Sequence, residues 1–125
     1  MKWASEEPGQ AAKRFLPGVD YPAAVRRCLR RDQRSFRYLF ALSTHTDAAA
    51  SELQAAILAV VLKQVGDDFF ADQLAKATKA ARESSIELLR YELLEQTPAP
   101  YGMDLKRYPK ITRLLQRSNQ SLEPL

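Results

Sequence analysis

Six arginines fall within one short stretch: Arg26, Arg27, Arg30, Arg31, Arg34 and Arg37. Guanidinium forks bind phosphate and carboxylate oxygens bidentately, so this is the strongest chemical signal in the chain. On one continuous helix through residues 25–40 the six would share an arc of about 140°. Val25, Cys28, Leu29, Phe36, Leu39 and Phe40 would form an opposing apolar arc of about 120°. Tyr38 could add a stacking surface, and Lys106, Arg107, Lys110, Arg113 and Arg117 could extend the positive face. An amphipathic helix also needs a polar solvent face, which arginine supplies without binding anything. The six are therefore candidate partner-binding residues, for an acidic protein surface or for nucleic acid, set against a merely solvated face.

The other reactive side chains are sparse. His45 is the single histidine and sits among Ser43, Thr44, Thr46 and Asp47, which formally supplies a nucleophile, a base and an orienting acid. Neighbours in sequence seldom converge in that geometry, and the same residue types make a helix-capping loop. Cys28 lies on the apolar arc, where a buried thiol behaves as a small inert hydrophobe. Asp67, Asp68 and Asp72 could be imagined around a divalent cation, and Glu83 and Glu87 share one helix face. Hard cations want more oxygen ligands, and capping with solvation accounts for all five. With one cysteine and one histidine, neither an intrachain disulfide nor a zinc site of Cys and His can form in a single chain. No glycine-rich phosphate loop, nucleophile elbow or zinc-binding helix motif occurs. The expectation is a protein without metal, cofactor or catalytic residues. Pro98 to Tyr101 reads as a stiff linker or a weak polyproline-type ligand.

Helices must position these groups. The 125 residues include 18 Ala and 17 Leu against 5 Val and 3 Ile, a bias toward helix over strand. Pro22 suits a first helical turn. Asp32 would fall in the middle of the apolar arc, a conflict removed if it caps a second helix running to about Leu42. Thr46 or Asp47 begins a helix that reaches Val65 and stops at Gly66. Its apolar residues, Leu53, Ile57, Leu58, Val60, Val61 and Leu62, cover most of the circumference, which marks the central helix. Asp67-Asp68 starts a short helix to about Lys76. Thr78 or Ala80 starts another, with Ile86, Leu89 and Leu93 on one stripe and Leu88 and Leu94 beside it, ended by Pro98. Pro109 opens a last helix carrying Ile111, Leu114 and Leu115. The predicted fold is an all-α compact bundle of five or six helices around residues 47–65, with an irregular arm over 1–20, a single helical domain over 21–117 and a polar, frayed tail over 118–125.

Charge is segregated: residues 1–12 carry −1, 13–38 carry +6, 39–103 carry −4 and 104–125 carry +3. The longest dense apolar stretch, Ala55 to Leu62, is too short to cross a bilayer, and the N-terminus lacks the apolar core of a signal peptide. A cytoplasmic protein is expected, or an exported one if a signal has been removed. A stable scaffold with segregated charge suits a non-enzymatic protein–protein interaction module, such as an adaptor, an inhibitor or an immunity-type factor. Its contact surface would be the arginine face or the acidic residues 67–95. The alternative is nucleic-acid or phosphate binding through Arg26–Arg37, and a third expectation is self-association through residues 53–62.

Overall fold

The structure is a computed structural model that describes residues 18–46, 48–95 and 104–121. Most of the N-terminal arm, the linker from Pro98 to Tyr101, Asp47 and the last four residues lie outside the described residues. Six α-helices and no strand are found among the described residues: α1 Tyr21–Leu29, α2 Gln33–Leu42, α3 Ala48–Val65, α4 Asp67–Ala75, α5 Lys79–Arg90 and α6 Pro109–Ser121. A π-helical turn, Tyr91–Glu95, extends α5, and a 3₁₀ turn, Leu105–Arg107, precedes α6.

The breaks fall where cap chemistry places them. Asp20 accepts the Ala23 N–H at the start of α1, and Pro22 occupies its first turn. Asp32 resolves its conflict by capping α2, accepting the Arg34 N–H and the Ser35 hydroxyl. Between them the chain reverses through a Schellman motif: the Asp32 N–H donates to Arg27 O, and the Arg31 N–H to Cys28 O. The left-handed position of that motif, normally glycine, is Arg31 at φ 66°. Gly66 alone joins α3 to α4, at φ 92°, in a conformation open to glycine and strained for any other residue even though nothing crowds it.

The long helix α3 runs through the middle of the bundle and packs on α1, α4, α5 and the π turn. Ala55, Ile57, Leu58, Ala59, Val61, Leu62 and Val65 are all buried. Beside it, α2 and α4 interlock four rings. Phe36 meets Phe69 and Phe70 edge-on, with centroids at 5.6 and 6.2 Å, and Phe40 meets Phe70 at 5.4 Å. The stripe of Ile86 and Leu89 on α5 with Leu93 in the π turn is buried as the spacing requires, whereas Leu94, in the same turn, is exposed.

A polar chain crosses this core. The Tyr21 hydroxyl on α1 donates to Gln54 Oε1 on α3, and Gln54 Nε2 donates to Leu39 O at 2.8 Å and to Ser43 Oγ at 3.2 Å. Ser85 on α5 donates to the same Ser43 oxygen at 2.8 Å. The network ties α1, α2, α3 and α5 together, and no Gln54 polar atom is left unsatisfied.

Candidate interaction site

The turn at residues 30–32 divides the six arginines into three settings. Arg26 and Arg27 lie in the last turn of α1 and Arg30 is its C-cap, where positive charge meets the negative end of the helix dipole. Arg31 is bonded to the fold at its surface. Its Nη2 donates to Val65 O, the last residue of α3, at 3.2 Å, and its guanidinium lies 5.6 Å from the centre of the Phe69 ring. Arg34 and Arg37 project from α2. All six are exposed, and among the described residues Arg26, Arg27, Arg30, Arg34 and Arg37 have no carboxylate within ion-pair distance.

Arg34 and Arg37 share a hollow of about 400 Å³ with residues that the sequence reading did not associate with them. It lies between α2, the end of α4 and the start of α5. The partly exposed Ala41 and Ala77 line its apolar floor over the buried Phe36, Phe40 and Ala81, and Lys76 stands on its rim with the two arginines. Lys76 is held by Asp72 at 3.3 Å and by Gln33 Oε1 at 3.3 Å. Thr78 also lines it and caps α5 by accepting the Ala81 N–H, so the positive end of the α5 dipole faces the same edge. The sequence signal for this wall was a helix end at about Lys76 and a new start at Thr78 or Ala80, which says nothing about its neighbour across the bundle.

A second, more open hollow of about 490 Å³ lies where α3 meets α4, with Arg31 and Arg107 on one side and Asp67 and Asp68 on the other. Its carboxylates are engaged locally. Asp67 accepts the backbone N–H groups of Lys110 at 3.0 Å and Ile111 at 2.8 Å, capping α6 from a different helix. Asp68 pairs with the Lys110 ammonium at 3.0 Å. Asp72 pairs with Lys76 and Glu87 with Arg90, and no cluster fit for a metal exists among the described residues. The acidic stretch 67–95 is thus largely occupied by internal partners.

The remaining candidates are not assembled. Ser43 is buried and receives hydrogen bonds from Gln54 and Ser85, whereas His45 is exposed and Asp47 lies outside the described residues. Thr44 bonds back to Ala41 O, and Thr46 meets Ser51 at 2.8 Å, as expected of a capping loop. The Cys28 thiol is fully buried and pushed up to about 12, first by loss of solvent and then by the Asp32 carboxylate. The apolar residues 57, 58, 61 and 62, weighed for self-association, lie inside the bundle, with Leu53 and Val60 half-buried. No described helix is long and apolar enough to cross a membrane.

No protein-family model, curated protein or solved structure matches this chain.

Proposed function

We propose that this chain is a non-catalytic interaction module that binds an acidic surface or segment of another protein. The observation that carries the reading is the set of five exposed guanidinium groups, Arg26, Arg27, Arg30, Arg34 and Arg37, that have no partner among the described residues. The cations Lys76, Arg90 and Lys110 are paired with carboxylates, and Arg31 is bonded to a carbonyl. The acids of residues 67–95 are mostly consumed in such pairs, which favours the arginine side over the acidic one as the contact. Arginine is also the cation best suited to interfaces, because its planar fork binds carboxylates bidentately and is weakly hydrated. The turn at residues 30–32 breaks the single helix on which the six arginines would share one phosphate-binding face, and the Tyr38 ring proposed for stacking is half-buried.

Selection from a random twelve-residue peptide display library on the immobilised full chain tests the reading. Enriched peptides rich in Asp and Glu, bound more weakly as salt rises and not displaced by duplex DNA, are the expected result. A library that returns no binder, beside duplex DNA held at physiological salt, would overturn it in favour of nucleic acid.

A further inference from the structure

We infer that the groove between α2 and the α4–α5 turn is the contact itself, and that its occupant is a partner's acidic peptide segment carrying one bulky apolar side chain. This rests on the interaction reading above and assigns it a place and a ligand chemistry. At about 400 Å³ the groove is within the usual range for ligand sites, roughly 300–1,000 Å³, and suits one or two side chains. The small side chains of Ala41, Ala77 and Ala81 line it beside the buried rings of Phe36 and Phe40.

An apolar side chain entering there loses water against the partly exposed Ala41 and Ala77, while its neighbours meet the rim. Arg34 and Arg37 offer guanidinium forks that no carboxylate of the described fold occupies. The first turn of α5 adds positive potential at the opposite edge, where Lys76 is already paired with Asp72. Carboxylates on both sides of one apolar anchor would match this pattern of charge around a hydrophobic centre. A nucleic acid matches it poorly. Its bases need an accessible ring to stack on, and Phe36 and Phe40 are each only 1% exposed.

The test is a titration of the ¹⁵N-labelled full chain with the blocked peptide Glu-Glu-Leu-Phe-Glu-Glu, followed by amide shifts. Parallel titrations use versions with Lys for Glu and with Ser for Leu and Phe, and a twelve-nucleotide oligothymidylate. Shifts concentrated at residues 33–41 and 73–81 are expected from the first peptide. R34E/R37E should weaken binding by about tenfold or more, and R26E/R27E by much less. These are exposed positions, and an unchanged circular dichroism spectrum verifies the fold. Shifts centred elsewhere, equal binding of the serine peptide, a preference for oligothymidylate, or no shift at millimolar peptide would each overturn the groove assignment. The broader interaction reading falls only if the display selection also returns no binder.

Discussion

Arg31 donates a hydrogen bond to the carbonyl oxygen of Val65 at 3.2 Å, joining the α1–α2 turn to the end of α3. To reach it, Arg31 holds a left-handed backbone at φ 66° where glycine is the usual residue. A left-handed residue with a Cβ costs about 1–2 kcal/mol, and the bond to a helix-terminal carbonyl together with the Phe69 contact offsets that cost. Arg31→Ala keeps the strain and loses the contacts, so it should destabilise the fold by about 1–2 kcal/mol. Arg31→Gly loses the same contacts but relaxes the backbone and should recover about 1 kcal/mol of that loss. Urea unfolding of the two variants decides the point, and an alanine variant as stable as the glycine one would show that the turn is not strained.

Asp67 makes a comparable long-range cap. Its carboxylate holds the first N–H groups of α6 from across the bundle. Asp67→Ala should cost about 1 kcal/mol, with Asp67→Asn intermediate. The local readout is hydrogen exchange at the Lys110 and Ile111 amides, which should accelerate in Asp67→Ala beyond the change in global stability. Protection unchanged there would mean that α6 is held by Ile111 and Leu115 packing alone.

In the buried polar chain, Tyr21→Phe deprives Gln54 Oε1 of its donor, and Gln54→Leu deprives the Tyr21 hydroxyl of its acceptor. Each buried orphan should cost about 1–3 kcal/mol, and the double variant should cost clearly less than the sum of the two. Additive losses in thermal or chemical unfolding would contradict a coupled network.

Burial also sets a dependence on alkaline pH. The Cys28 thiol is raised from 9.0 to about 12 in the fold, and burial raises the Tyr21 phenol further still. Both stay protonated when folded while the unfolded chain ionises, so the native state binds more protons and stability falls as pH rises. For Cys28 its contribution is whole below about pH 9 and declines toward pH 12, at up to about 1.4 kcal/mol per pH unit. Cys28→Ala should flatten this slope, leaving the Tyr21 part above about pH 10. In the native protein at neutral pH the thiol should resist a disulfide reagent until urea unfolds the chain. An accessible thiol, or an unchanged slope in the variant, would contradict its burial.

Much of the fold was legible because the signals were local. Asp32 in an apolar arc, the Gly66-Asp67-Asp68 junction, Thr78 and Pro109 each fix a helix end through chemistry confined to one turn. The arginines were legible as candidates but not as a site. Nothing in the spacing of Arg31 distinguishes it from Arg30 or Arg34, because its role depends on a carbonyl thirty-four positions away. Gln54 likewise reads as an ordinary helical residue until Tyr21, Leu39 and Ser43 surround it. The groove joins residues 33–41 to 73–81, and only the packing of α2 on α4 and α5 makes them neighbours.

The most direct test of the account is one anisotropy experiment at physiological ionic strength. It compares an acidic peptide from the display selection with a labelled oligonucleotide of equal charge, on the unmodified chain and on R34E/R37E. The account predicts that the peptide binds, the oligonucleotide does not, and charge reversal at Arg34 and Arg37 removes at least about 90% of the peptide affinity. Tighter binding of the oligonucleotide, or peptide binding indifferent to those two arginines, would contradict it.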